Sequence, residues 1–239
     1  MNAYLLAAGK GTRLRPYTNH TPKCLMDIHG TPLLGWWLHL LEQHHIERVL
    51  INTHHLEDQV EAYLDHVRPQ FQMEILTTYE PTLLGSAGTL IKNRNFSSGT
   101  GDFLVAYADI LTQANLTNMK KAHTHFKKEG ALLTIALFHS PTPPTCGIAE
   151  TDDTGKITSF IEKPKHPKSD LANAGIYIVS PEIFDFLPTD VPHNETTDIG
   201  FDLLPKLVNR MYGYPIQEYL QDIGSVQAYQ EALAAFPAS

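Results

Sequence analysis

Leu5-Leu6-Ala7-Ala8-Gly9-Lys10-Gly11-Thr12-Arg13-Leu14-Arg15-Pro16-Tyr17-Thr18-Asn19-His20-Thr21-Pro22-Lys23 is the stretch from which the fold is read. The apolar run Tyr4–Ala8 predicts a buried strand. It feeds a loop in which Gly9 and Gly11 permit tight turns and let backbone N–H groups come close to a ligand. Such a loop cradles phosphates. It is not the dinucleotide fingerprint, whose last glycine is replaced here by Leu14, and it is not a P-loop, which ends in Gly-Lys-Ser/Thr. Taken alone, Gly-x-Gly also fits an ordinary strand-to-helix turn. Arg13, Pro16, Pro22 and Lys23 around it point to the phosphate reading.

Charge agrees with an anion site there. The 239 residues hold 18 Lys and Arg against 26 Asp and Glu, a net charge of −8, so nothing attracts the whole chain to nucleic acid or to an anionic membrane. Yet Met1–Met26 carries Lys10, Arg13, Arg15 and Lys23 and no acid. With 42% hydrophobic residues the chain is long enough to bury a substantial core. No segment reaches the roughly 18–20 apolar residues of a membrane span, and the start lacks a signal peptide's basic region, so a cytoplasmic protein is expected. Cys24 and Cys146, without metal-ligand spacing, read as reduced thiols. His44-His45 and His54-His55 invite a zinc reading, but adjacent side chains diverge and no cysteine joins them.

Outward from the loop, apolar runs alternate with amphipathic stretches, which predicts βαβ units and a largely parallel sheet. Strands are expected at Val49–Asn52, Glu74–Thr77, Phe103–Tyr107 and Leu132–Phe138, with helices at Leu33–Gln43, Leu56–Asp65 and Asn115–Lys128. After Pro141, Pro143 and Pro144 the texture changes to short strands, Gly147–Thr151, Ile157–Ile161 and Gly175–Val179, read as antiparallel additions. Helical patterns return at Pro181–Leu187, Phe201–Met211 and Val226–Ala235. The expectation is one α/β domain over 1–239, Rossmann-like, with a mixed, mainly parallel sheet flanked by helices.

Phosphoryl chemistry needs a cation, and Mg²⁺ is commonly held by one or two carboxylates plus phosphate oxygens. Asp109 follows the apolar strand Phe103–Tyr107 at the carboxyl end, where open α/β sheets bind ligands. Asp222, in Asp222-Ile223-Gly224-Ser225, reads by its local pattern as an acid capping the next helix. Glu80 by itself reads as a solvated loop glutamate; only if its segment lay beside a base would its carboxylate suit the N1–H and 2-amino donors of guanine.

Gly9, Gly11, Thr12, Arg13, Pro16, Thr18, Pro22 and Lys23 fill every fixed position of a signature, Gly-x-Gly-Thr-Arg-x-x-Pro-x-Thr followed by Pro-Lys. The stretch thereby resembles the sugar-nucleotide pyrophosphorylases, nucleotidyltransferases that join a nucleoside triphosphate to a sugar 1-phosphate. Glu80-Pro81…Leu84-Gly85-Ser86-Ala87-Gly88, Cys146-Gly147-Ile148-Ala149-Glu150, Phe160-Ile161-Glu162-Lys163-Pro164 and Asn173-Ala174-Gly175-Ile176-Tyr177 follow in the family's order. Departures are Ala108 for a glycine before Asp109, Ser225 for a threonine, and Cys146 at a usual aromatic position.

The resemblance implies a nucleotide-binding half, about 1–140, and a sugar-phosphate half, about 141–239. It implies nucleotide contacts at Leu6, Ala8, Gly9, Gly11, Thr12, Glu80 and Gly88, with Arg13 and Lys23 on the triphosphate. It further implies Mg²⁺ on Asp109 and Asp222, the sugar phosphate on Lys163, and the sugar on Gly147, Glu162 and Asn173. Many members carry a C-terminal β-helix, and none is expected within these 239 residues. The likeness is to short members such as D-glycero-D-manno-heptose 1-phosphate and mannose-1-phosphate guanylyltransferases, acting as monomer or small homo-oligomer. GTP is the expected donor; UTP or CTP members, a phosphocholine acceptor, and a non-catalytic sugar-nucleotide sensor are the alternatives.

Overall fold

The computed structural model describes residues 1–192 and 195–237. Along the chain come β1 (Asn2–Leu6), β2 (Asp27–Ile28), β3 (Thr31–Pro32), α1 (Leu33–Gln43), β4 (Arg48–Thr53), α2 (Glu57–Val67) and β5 (Glu74–Tyr79). Next are α3 (Ser86–Lys92), β6 (Phe103–Tyr107), β7 (Ile110–Thr112), α4 (Leu116–Phe126) and β8 (Leu133–His139). The rest comprises β9 (Gly147–Thr151), β10 (Ile157–Glu162), β11 (Leu171–Val179), β12 (Met211–Pro215), β13 (Leu220–Asp222) and α5 (Val226–Ala235). The chain divides into two compact units. Unit 1 gathers Met1–Leu83, Ala106–Ala114 and Glu218–Ser239, and unit 2 gathers Leu84–Val105 and Asn115–Gln217.

Unit 1 is built on a parallel ladder. Leu6 of β1 pairs with Asn52 of β4, and Thr53 of β4 with Tyr79 of β5, so Ala7, His54 and Glu80 emerge at one carboxyl end. All five residues of β1 are buried, as expected of a strand covered on both faces. Helix α1 repeats apolar residues at the helical period, burying Leu34, Trp37, Leu38 and Leu41, and the Trp37 indole N–H donates to the Ile110 carbonyl at 2.7 Å. The ribbon β7–β13 pairs Ile110 with Asp222 antiparallel, and the Ile223 N–H donates to the Asp109 carbonyl at 2.8 Å. Ser225, whose side chain accepts from the Ala228 N–H at 3.2 Å, caps α5, so Asp222 is not the capping acid.

In unit 2, β8 lies between β11, antiparallel, and β12, parallel, with Met211 opposite Leu133. β9 pairs antiparallel with β10 and meets β11 at Ile148 and Ala172. The β11–β8 register shifts between Asn173 and Tyr177, around Gly175 at φ +70°. Such irregularities recur beside active sites because they re-aim side chains.

The helix expected over Phe201–Met211 is absent. A π-turn at Ile199–Leu203 and a 3₁₀ turn at Leu204–Leu207 lead instead into strand β12. Pro205 cannot donate inside a helix and restricts Leu204, which breaks the pattern. Pro181–Phe186 is likewise 3₁₀. Among the described residues no helix is long and apolar enough to cross a membrane.

Both cysteines are free, as expected. Burial pushes the Cys24 thiol up to about 12, whereas Cys146 is only half-buried. A thiol reagent at pH 8 is therefore expected to modify Cys146 in the native protein and Cys24 only after unfolding, because the thiolate is the reactive form. Two equally fast thiols by absorbance would contradict this.

Candidate active site

Beyond β1, the Ala7 N–H donates to Asn52 Oδ1 at 2.7 Å, which ties the strand end to β4. A Cβ added at Gly9 would meet no protein atom within 4 Å, so the backbone there is open to approach. Gly11 is different. It sits at φ +61°, and a Cβ on it would lie 2.8 Å from Thr18 Cγ2 and 3.2 Å from Lys23 Cβ. Glycine is required by conformation and by space. The Gly11 carbonyl accepts from Thr18 Oγ1 at 2.7 Å and from the Leu14 N–H at 2.9 Å. Leu14 is anchored in a cluster with Met26, Ile28, Leu33, Leu111 and Ile223, leaving Thr12 and Arg13 on the exposed side of the turn. Lys10 and Arg15 are exposed.

Lys23, almost wholly buried, points its ammonium at the two acids. Nζ lies 2.5 Å from Asp109 Oδ2 and 3.8 Å from Asp222 Oδ1. The carboxylates remain reachable from solution, with side-chain exposures of 34% for Asp109 and 54% for Asp222. Arg13 comes to the same place: a Cβ on Gly224 would lie 3.0 Å from Arg13 Nη2 and 2.8 Å from Asp222 Oδ2. Desolvation by the protein around it, then the charge of Asp109, push the Asp222 carboxyl up, while Lys23 and Arg13 pull it back. Two acids that resist sharing one site fit a divalent cation. Among the described residues no three His, Cys, Asp or Glu side chains gather, so further ligands would be oxygens of phosphate or water. That is the donor set Mg²⁺ commonly takes.

Glu80 is not a solvated loop acid. It is 1% exposed, its carboxylate accepts from Asn52 Nδ2 at 2.9 Å, and its N–H donates to the Thr53 carbonyl at 2.9 Å. Asn52 thus joins Glu80 to the backbone of Ala7, between buried Leu6 and buried Ala8. Gly88 lies in unit 2, in α3, where its N–H donates to the Thr197 carbonyl at 3.0 Å and a Cβ would meet Leu84 Cβ at 2.9 Å.

The remaining candidates gather in unit 2. Asn173, at the β11 irregularity, accepts from the Gly175 N–H at 2.9 Å and donates to the Tyr177 hydroxyl at 2.7 Å, which fixes its amide. Glu162, at the end of β10, packs its carboxylate against two bare backbones. A Cβ on Gly147 would collide with Oε2, and a Cβ on Gly200 would lie 2.5 Å from it. Burial is the main influence raising the Glu162 carboxyl, with Asp198 adding to it and Lys163 opposing. Lys163 takes φ +49°, unusual for a side-chain-bearing residue, and holds Nζ 3.8 Å from Glu162 Oε1 with 57% of its side chain exposed.

The nucleotidyl transferase family profile matches residues 2–239. The chain belongs to the nucleotidyl transferase family. A UTP–glucose-1-phosphate uridylyltransferase of Synechocystis is 35% identical, over 98% of this chain and 62% of its own length. Mannose-1-phosphate guanyltransferase beta-A of Xenopus laevis is 26% identical, over 99% of this chain and 64% of its own length. The chain thus spans about three-fifths of these curated relatives. The crystal structure of HddC from Yersinia pseudotuberculosis superposes with a TM-score of 0.78 at 24% identity, covering 99% of each chain. The mixed, mainly parallel sheet flanked by helices is accordingly the fold expected.

Three residues beside the candidate groups of the two units escaped the sequence reading of this nucleotidyl transferase. Asp198 accepts from the Gly200 N–H at 2.7 Å and from Ser86 Oγ at 2.8 Å, so it orders the turn against which Glu162 rests. Gly200 and Gly224 leave space for carboxylates. Gly200 faces Glu162 from far along the sequence, a contact that only tertiary packing creates, whereas Gly224 lies beside Asp222 of its own segment.

Proposed function

We propose that this nucleotidyl transferase joins a nucleoside triphosphate to a sugar 1-phosphate, giving a nucleoside diphosphate sugar and pyrophosphate. The observation that carries the reading is the Lys23 ammonium, 2.5 Å from Asp109 and 3.8 Å from Asp222, below a glycine loop bearing Arg13. In the proposed reaction an oxygen of the sugar 1-phosphate forms the new bond to the α-phosphorus as the bond to the bridging α–β oxygen breaks. Pyrophosphate leaves with the electron pair.

Leu6, Ala8, Gly9, Gly11 and Thr12 present main chain to the nucleotide. Arg13 and Lys23 stabilise charge on the departing pyrophosphate. Lys163 binds the acceptor phosphate, and Gly147, Glu162 and Asn173 receive the sugar. Asp109 and Asp222 would hold a divalent ion, Mg²⁺ in our reading, which when bound neutralises phosphate charge. No covalent intermediate is required; positioning and preorganised charge supply the rate enhancement.

Pyrophosphate release with each of four NTPs against a panel of sugar 1-phosphates tests the reading. Turnover is expected with GTP ahead of UTP, and with heptose or mannose 1-phosphate as acceptor. UTP ahead of GTP would leave Glu80 only as the group that holds Asn52 and the Ala7 backbone. Silence across the panel with retained nucleotide binding would overturn the enzyme in favour of a sensor.

A further inference from the structure

Phe201 leaves 56% of its surface accessible, although burying a phenyl ring is favourable. Of the exposed aromatics, Tyr17 and Tyr79 belong to unit 1 and Phe201 to unit 2. Its position is fixed rather than loose. The Phe201 N–H donates to Asp198 Oδ1 at 3.2 Å, and the Asp198 N–H donates to Asp202 Oδ2 at 2.7 Å, within the π-turn Ile199–Leu203. The preceding Gly200 abuts the Glu162 carboxylate, and Lys163 Nζ stands 5.7 Å from the centre of the Phe201 ring. Cys146, ahead of Gly147, contributes a small thiol, 3.4 Å from Ser140 Oγ, and no aromatic surface.

We propose that Phe201 is the stacking platform of the acceptor subsite, the face against which the ring of the sugar 1-phosphate lies. This rests on the reading of the chain as a sugar-1-phosphate nucleotidyltransferase. Such an acceptor has three chemical parts, and the cluster has a partner for each. The apolar C–H face of the ring suits the phenyl group, the hydroxyl rim suits the Glu162 carboxylate, and the phosphate suits the Lys163 ammonium. The phenyl ring also attracts that ammonium through its negative face, which holds Lys163 beside the subsite. Phe201 is thus a specificity residue for acceptors with an apolar ring face.

Steady-state kinetics of Phe201→Ala and Phe201→Trp, with wild type alongside, test this. With NTP saturating, Phe201→Ala is expected to raise KM for the sugar 1-phosphate about tenfold, while KM for the NTP and Tm stay at wild-type values. Phe201→Trp is expected to restore the acceptor KM, because it supplies another aromatic face. An unchanged acceptor KM in Phe201→Ala overturns the platform, as does an equal rise for both substrates with a lowered Tm. A wild type inactive with every sugar 1-phosphate tells against the functional reading itself, whereas an active wild type with an indifferent Phe201→Ala tells against the platform alone.

Discussion

Asp222→Asn is expected to lower turnover at least about a hundredfold and to leave the metal-free protein as stable as wild type or slightly more so. The two halves of this result have separate causes. In the proposed reaction Asp222 helps hold the cation, and an amide is a poor substitute for a carboxylate on Mg²⁺. In the metal-free protein its ionised form is disfavoured by its surroundings and by Asp109. The raised value means that the site contributes stability below the ordinary carboxylate range and loses it as pH rises through the folded-state value. Asp222→Asn removes that dependence. Asp109→Asn should abolish turnover equally but cost stability too, by about 1–3 kcal/mol, because buried Lys23 loses its 2.5 Å partner. Pyrophosphate release and thermal melts measured on both variants decide the matter; near-normal turnover in both would remove the metal assignment.

Lys163→Met is expected to reduce kcat/KM for the sugar 1-phosphate about a hundredfold, equivalent to about 2.7 kcal/mol of transition-state stabilisation, with KM for the NTP little changed. Lys163 is 57% exposed and its ammonium stands 3.8 Å from Glu162, so its removal takes little from the fold. Its backbone, at φ +49° ahead of Pro164, is a strained arrangement of the sort proteins keep where a side chain must be aimed. Methionine keeps the stem and removes the charge. Lys163→Arg restores a charge with a different, planar geometry and should recover only part of the loss. Wild-type kcat/KM in Lys163→Met would take Lys163 out of the acceptor site.

Local patterns made much of this legible. Leu33–Gln43 is helical with the boundaries expected, and Phe103–Tyr107 is the strand expected, because their apolar periodicity is unbroken. Helix α3, at seven residues, is too short for its period to stand out, and β12 hides in Tyr212-Gly213-Tyr214-Pro215, whose glycine and proline disguise a strand. In the candidate site, the glycine loop could be read because its residues are neighbours in sequence. The Lys23–Asp109 pair joins residues 86 apart, so only the family resemblance brought them together. The burial of Glu80 against Asn52 and the exposure of Phe201 depend on tertiary packing, which no local pattern encodes.

The division of unit 1 among Met1–Leu83, Ala106–Ala114 and Glu218–Ser239 has a consequence for biosynthesis. A ribosome releases the glycine loop, Lys23 and Asp109 well before Asp222, so the cluster of Lys23 with the two acids assembles only once Asp222 has emerged. Leu14, Met26 and Ile28 similarly await Ile223, Tyr229 and Phe236, the partners that seal the loop from below. Long-range closure of this kind is slow compared with local folding. In the proposed reaction, a nascent chain would therefore hold Arg13, Lys23 and Asp109 but lack the second acid until Asp222 has emerged.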